Sequence, residues 1–320
     1  MSRAKEHAAA HLRGIWCAAL MPFLPESLAM DEAGFRSNLA HWFGDLGIDG
    51  VFVSGKQGEF FAMSVAERKR SFEIAVDAAH AAGRRTIMSA SDQNMDTVIA
   101  LAQHAEAVGA DYVVVHAPVL HFVHDRDALL LEYYRHIAAQ VKIGICLWSH
   151  PDSGYLMSPE LCARIADIPN IVGIKYSVPR EMYVQLTNLT RGRLIVSTAS
   201  EEEWLDNIRE LDWQVYLCSS PPYLLQTAAD RRMHDYTDLA FGGDFARARV
   251  VRDSLEPVRR ALRETRPGGK PQSHQKYWQE LLGQVGGAVR PPMLELSGEE
   301  RAATRTAFAA CGLRVPESVA

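Results

Sequence analysis

The residue with the greatest chemical consequence is Lys175, set in the run Ile171-Val172-Gly173-Ile174-Lys175-Tyr176-Ser177. The run is apolar and β-branched and is entered through Ile168-Pro169-Asn170. That is the pattern of a parallel strand covered on both faces. An ammonium group buried there costs several kcal/mol unless it is paired, and burial favours the neutral amine. A neutral amine attacks a ketone or aldehyde and forms an imine. A lysine at a strand end also snorkels to solvent or pairs with a carboxylate. The run alone leaves both readings open.

Polar residues collect at the ends of other apolar runs. They are Ser54-Gly55-Lys56-Gln57-Gly58-Glu59, Trp148-Ser149-His150-Pro151, Ser197-Thr198-Ala199-Ser200-Glu201 and Cys218-Ser219-Ser220. Of the seven lysines, Lys56 and Lys175 are the two at such ends. The glycines around Lys56 and Gln57 let backbone amides approach an anion, so Gln57 and the backbone near Gly58 are candidates to hold a carboxylate while Lys56 adds positive charge. His150 lies two residues beyond Trp148, on the same side of an extended segment, and its ordinary pKa suits proton transfer. Capping a helix is the competing role for it. Ser177 returns to the lysine's side of the strand, and Ser219 is a further candidate substrate contact. Tyr176 points to the opposite face and should pack under a helix. Trp148 and Phe122 are candidates to stack on an aromatic substrate, with plain packing as the alternative. His116 and His121 follow a fourth run, either lining a mouth or lying at a surface. A glutamate after a tight glycine turn, Glu59, should be structural.

Positioning these groups falls to a regular alternation of elements. Strands are expected at Ile15–Leu20, Gly50–Val53, Arg85–Met88, Tyr112–Val115, Ile143–Leu147, Val172–Lys175, Leu194–Ser197 and Gln214–Leu217. Helical patterns fill the gaps, as in Asp31–Leu46, Ser64–Ala82, Asn94–Val108, Asp125–Gln140 and Ser158–Ala166. Ser64-Val65-Ala66-Glu67 is a capping box, which fixes one helix start. Eight alternations with short connections indicate a (β/α)8 TIM barrel, in which reacting groups sit at the carboxyl ends of the strands. An open doubly wound sheet is disfavoured because no glycine-rich dinucleotide fingerprint follows the first strand. Residues 1–13 read as a short, mobile lead-in and 14–225 as the barrel. Residues 226–320 read as a helical extension packed on the barrel, with helices near Asp230–Leu239, Asp244–Arg263, Ser273–Gly283 and Gly298–Ala310.

The bulk properties restrict the function classes. A net charge of -5, with 48% hydrophobic and 23% charged residues, argues against a nucleic-acid surface. No stretch approaches the roughly 20 apolar residues of a membrane span. The amino terminus lacks the hydrophobic core of a secretion signal, and the five cysteines are scattered without metal-ligand or redox spacing. A cytoplasmic protein with buried thiols is expected.

Taken together, Ala18-Ala19-Leu20-Met21-Pro22-Phe23, Gly55-Lys56-Gln57-Gly58-Glu59-Phe60-Phe61 and Pro169-Asn170-Ile171-Val172-Gly173-Ile174-Lys175 resemble the pyruvate-dependent class I aldolase family of dihydrodipicolinate synthase and N-acetylneuraminate lyase. The segment from Ser273 to Cys311, with Arg290-Pro291-Pro292, most resembles its hydratase-aldolase branch. The resemblance implies that Lys175 forms a Schiff base with a 2-oxo acid and that the Gly55–Glu59 turn binds its carboxylate. Departures are plain. The family's proton-relaying tyrosine falls on Trp148, whose indole takes no part in acid-base exchange. The two turn threonines are Lys56 and Gln57, and the interface tyrosine of the synthases falls near Val119 or Leu120. The arginine that holds the aldehyde's carboxylate is replaced by Asp152-Ser153.

The expectation is a Schiff-base lyase for a small 2-oxo acid, by aldol cleavage or condensation or as a hydratase-aldolase, and not dihydrodipicolinate synthase proper. No metal and no organic cofactor is needed, since the imine is the electron sink. A homodimer or homotetramer is expected. The alternative is a barrel that has lost turnover and binds a ligand or partner.

Overall fold

The computed structural model describes residues 2–121, 124–197, 200–217 and 221–315. Each apolar run is a strand of one parallel sheet. The strands are β1 (Gly14–Ala18), β2 (Gly50–Val53), β3 (Arg85–Ser89), β4 (Tyr112–His116), β5 (Gly144–Ser149), β6 (Ile171–Tyr176), β7 (Ile195–Ser197) and β8 (Val215–Leu217). Their order is β7-β6-β5-β4-β3-β2-β1-β8. The ends of that sheet meet where the Leu217 amide donates to Ser197 Oγ at 2.9 Å, so the barrel is nearly closed. Nearly every strand residue is buried, as strands with a filled lumen inside and helices outside must be.

Ahead of β1 lies α1 (Arg3–His11). The crossovers are α2 (Glu32–Gly44), α3 (Val65–Ala81), α4 (Met95–Ala107), α5 (Arg126–Ala138), α6 (Pro159–Ile165), α7 (Arg180–Thr190) and α8 (Trp204–Leu211). The capping box at Ser64 and Glu67 is formed, with both reciprocal hydrogen bonds present. Gly83 and Gly109 leave their helices at φ +65° and +87°, a backbone region where glycine carries no steric penalty.

Two expectations need correction. The lead-in is helical: α1 buries Ala8, the following Leu12 is also buried, and Gln214 Nε2 donates to Ala9 O and Leu12 O at 3.2 and 2.8 Å. A helix of nine residues is marginal alone, and it persists here because the barrel floor covers its apolar face. The pattern at Asp244–Arg263 is two helices. Pro257, without an N–H and with a ring that clashes with the preceding turn, starts a new helix at its first turn.

After β8 come α9 (Arg232–Phe241), α10 (Phe245–Asp253), α11 (Glu256–Glu264), α12 (Pro271–Leu281) and α13 (Gly298–Ala310). They pack on the barrel through specific polar contacts. Trp278 Nε1 donates to Leu224 O at 3.0 Å, Trp42 Nε1 donates to Gln284 Oε1 at 2.8 Å, and Asn38 bonds both backbone groups of Val285 at 2.8 and 2.9 Å. No helix among the described residues is long and apolar enough to cross a membrane.

Candidate active site

Register places the chemistry at one level of the barrel. Lys175 is the next-to-last residue of β6 and lies opposite Trp148 of β5 on one side and Ser197 of β7 on the other. Trp148 in turn lies opposite His116, the last residue of β4. Side chains in register on parallel strands share a face, so this row points into the lumen. Lys175 is 2% exposed, and its Nζ lies 5.3 Å from the ring centre of Phe52 on β2 and 5.2 Å from that of Trp148. The two rings meet edge to face at 5.7 Å. Aromatic faces attract an ammonium by about 0.5–2 kcal/mol, which holds the chain in place while the site stays largely apolar. Tyr176 points the other way, and its hydroxyl donates to Met157 O at 2.5 Å beneath the barrel wall.

The turn after β2 is rigid. Ser54 and Glu59 sit at φ +53° and +54°, where non-glycine residues are strained. A side chain at Gly58 would bring its Cβ to 3.1 Å from Ala19 O and 3.3 Å from Ser54 Cα, so glycine allows the close backbone approach. Glu59 is fully buried, pairs with Lys276 Nζ of α12 at 2.6 Å and accepts the Arg290 amide at 2.9 Å. Gln272 Nε2 donates to Lys56 O at 3.1 Å. Arg290 donates to both oxygens of Glu67 at 2.6 and 3.0 Å and to Ala62 O at 2.9 Å. Its guanidinium holds the Glu67 carboxyl down at about 2. Burial lowers the pKa of Lys276, and Glu59 only partly opposes this. The carboxyl-terminal region therefore clamps the turn proposed to hold a carboxylate.

The rim beyond Lys175 carries a polar cluster. Lys56 forms an ion pair with Asp152, and both side chains are partly exposed, so the lysine's charge is directed at the rim rather than toward Lys175. His150 Nδ1 accepts the Asp152 amide at 3.2 Å and caps the 3-10 turn Pro151–Ser153; the capping role weighed above is thus present. Burial and then Lys56 lower the His150 pKa, with Asp152 opposing. Burial raises the Asp152 carboxyl, but the Lys56 contact outweighs it and the net shift is downward.

Three buried polar atoms in this region have no protein partner among the described residues: Trp148 Nε1, Ser177 Oγ and His116 Nε2. His116 is the residue that sequence reasoning left undecided. Ser153 Oγ gives its proton to Ala117 O at 2.8 Å, so the contact of 3.3 Å between Ser153 Oγ and His116 Nδ1 is donated by the ring. Nε2 is therefore a bare lone pair, and burial pushes the ring's pKa down to about 4. The signal was its place at a strand end in register with the tryptophan. Phe52 and Lys276 were missed entirely. Phe52 reads as one apolar residue among four in β2, and Lys276 lies in a tail helix with nothing local to mark it. Ser219 and Phe122 lie outside the described residues. Gln57 is half-buried in the turn. No cluster of metal-ligating side chains occurs among the described residues.

A (β/α)8 barrel with a lysine amine at the carboxyl end of β6 and a rigid glycine turn after β2 is the architecture of class I aldolases and lyases. The chain matches the model of the dihydrodipicolinate synthetase family over residues 11–310 and belongs to that family. It is an enzyme of this Schiff-base-forming class, on a pyruvate-dependent lyase fold. It is 28% identical over 289 residues to a 4-hydroxy-tetrahydrodipicolinate synthase of Brucella abortus, spanning 89% of this chain and 93% of that one. A protein of the same name from Methanopyrus kandleri is 28% identical over 312 residues, spanning 96% and 98%. Among solved structures, a prophage protein of the dihydrodipicolinic acid synthase family from E. coli K12, in complex with pyruvate, superimposes with a TM-score of 0.82 at 22% identity over 94% of this chain and 99% of that chain. The dihydrodipicolinate synthase of Aquifex aeolicus gives 0.81 at 22% identity, covering 95% and 100%.

Proposed function

We propose that the chain is a lyase that cleaves or forms a carbon-carbon bond next to a 2-oxo acid, of the hydratase-aldolase kind, through an imine at Lys175. The observation that carries this reading is the Lys175 amine, buried at the carboxyl end of β6 between the Phe52 and Trp148 rings. The amine adds to the C2 ketone, and loss of water leaves a protonated imine. For an arylidene pyruvate, water adds across the conjugated double bond and places a hydroxyl at C4. Removal of that hydroxyl's proton sends the C3–C4 bonding pair into the iminium, releasing an aldehyde and leaving an enamine. Protonation at C3 and hydrolysis then return pyruvate and the free amine.

Gln57 and the backbone near Gly58 hold the carboxylate in this scheme. Trp148 Nε1 and Ser177 Oγ, both buried without a partner among the described residues, hydrogen-bond the reacting oxygen or a water. His150, or a bound water, moves the protons. A ring with its pKa at about 4 is a weak base at neutral pH, so His116 serves better as a fixed acceptor for a substrate or water hydroxyl. The Phe52 and Trp148 walls favour an aromatic aldehyde. Asp152 stands where the family holds its partner's carboxylate with arginine, and its own carboxylate, paired with Lys56, does not take over that role.

The test is a substrate comparison on the purified enzyme. Arylidene pyruvates should be cleaved to aromatic aldehyde and pyruvate, and Lys175→Ala should abolish this. Efficient condensation of pyruvate with aspartate semialdehyde, with no cleavage of arylidene pyruvates, would overturn the assignment.

A further inference from the structure

Two side chains of α12 grip the turn after β2 at both of its ends. Gln272 Nε2 donates to Lys56 O at 3.1 Å, and Lys276 Nζ pairs with a Glu59 carboxylate oxygen at 2.6 Å. Residues four apart lie on one helix face, one turn above the other, so a single edge of α12 makes both contacts. Between Lys56 and Glu59 stand only Gln57 and Gly58, the residues assigned to the substrate's carboxylate. Lys56 O also accepts the Glu59 amide at 3.1 Å, which closes the turn on itself.

The turn does not hold its shape unaided. Glu59 has left-handed backbone at φ +54°, a conformation that costs a non-glycine residue free energy and persists where surrounding contacts enforce it. Those contacts come from the carboxyl-terminal region, with Lys276 on one carboxylate oxygen and the Arg290 amide on the other at 2.9 Å. Lys276 is itself fixed. It donates to Ala288 O at 2.5 Å, and its Nζ lies 4.6 Å from the ring centre of Phe23 in the loop after β1. The Ala288 amide donates to Phe23 O at 2.9 Å, so the lysine, the Ala288 segment and that loop form one assembly. Gln272, Lys276 and Glu59 are 8%, 1% and 0% exposed, and water does not compete for these contacts.

We infer that Gln272 and Lys276 are positioning residues, which act through the turn to hold Gln57 and the Gly58 backbone where a 2-oxo acid's carboxylate meets them. The inference rests on the reading of Lys175 and of this turn under the proposed function. Displacing a binding group by about 1 Å is enough to lose much of its contribution. Carboxylate contacts exist before and after the imine forms, so their loss raises the half-saturating concentration and spares the rate at saturation. Loss of folded protein has the opposite signature, a lower rate at saturation with half-saturation untouched.

Pyruvate and pyruvamide are the probes, alike in size and differing in the carboxylate charge. Imine formation is followed by cyanoborohydride reduction and intact mass of the Lys175 adduct over a range of probe concentrations, with folding checked by denaturant titration. Gln272→Leu should raise the half-saturating concentration of pyruvate about threefold, and Lys276→Met about tenfold or more. In both variants the rate at saturation should stay within about threefold of wild type, and half-saturation by pyruvamide within about twofold. Should Lys276→Met fail to fold, Glu59→Gln combined with Lys276→Met takes its place. Removing both charges should restore stability but not the grip, so half-saturation by pyruvate stays raised. Half-saturation by pyruvate unchanged in either folded variant, a rise shared equally by pyruvamide, or a loss confined to the rate at saturation would each overturn the positioning role while Lys175 still takes up the adduct. A wild type that takes up no adduct on Lys175 would overturn the Lys175 reading, and the positioning role with it.

Discussion

Lys175 and Lys276 are buried almost equally, at 2% and 1% exposure, and both lie near the turn-bearing end of the barrel. Their neighbours separate them. Lys276 meets the carboxylate of Glu59 at 2.6 Å and donates to Ala288 O at 2.5 Å, contacts that tie the amine to the turn and fix the turn's shape. Lys175 lies against the faces of Phe52 and Trp148, with ring centres 5.3 and 5.2 Å from its Nζ, in the row of side chains at the carboxyl ends of the strands. Burial alone does not make a lysine a nucleophile. Its place decides as well: Lys276 joins a tail helix to the turn after β2, whereas Lys175 stands at the carboxyl end of a barrel strand, where barrels of this kind carry their chemistry.

Substitution should separate the two lysines sharply. Lys175→Ala is expected to reduce turnover of a 2-oxo acid by roughly a thousandfold or more with unfolding free energy unchanged or raised, measured by steady-state kinetics and denaturant titration. Lys276→Met leaves the Glu59 carboxylate buried against a single amide and should cost ~3–5 kcal/mol of stability. Adding Glu59→Gln to Lys276→Met should recover much of that loss, and a double-mutant cycle with no coupling would contradict the assignment of the pair as structural.

Acid sharpens the contrast between structural and chemical groups. Glu67 is depressed to about 2 by Arg290, so its contribution is present above its ordinary value near 4.5 and is lost as pH falls toward 2. His116 and His274 are depressed to about 4, so the fold favours their neutral forms. Their contribution is complete above their ordinary value of about 6.5 and fades as pH falls toward 4. Unfolding free energy should therefore decline from about pH 6.5 downward. Glu67→Gln should lower stability at pH 7 and flatten the part of the slope below about pH 4.5. A smaller effect is expected at the tryptophan. Trp148→Phe keeps a ring against Lys175 and removes only the Nε1 donor, which should raise KM or lower kcat by about tenfold at most.

Much of the architecture was legible because its signals are local. The eight apolar runs, the Ser64 capping box and the helical tail each declare themselves within a dozen residues. The strand edges moved where tertiary pairing extended them, as β5 did through Trp148 to Ser149 to match Lys175 and Tyr176 of β6. Features that depend on distant partners were not legible. α1 needs the barrel floor, the Glu59–Lys276 pair joins a turn to a tail helix, and the bare nitrogen of His116 follows from where the Ser153 proton goes. Within the candidate site, the sequence marked Lys175 through a charge in an apolar run. It did not distinguish His150 as a cap from His150 as a proton carrier, because both follow from the same position after the strand.

The central claim is that Lys175 forms an imine with a 2-oxo acid. It is tested most directly by incubating the protein with pyruvate and borohydride, measuring the intact mass and mapping the modified peptide. One pyruvyl-derived adduct, located on Lys175 and lost in Lys175→Ala, is the predicted result. A folded protein that acquires no adduct from pyruvate or from larger 2-oxo acids, or one modified at Lys56 or Lys276 instead, would contradict it.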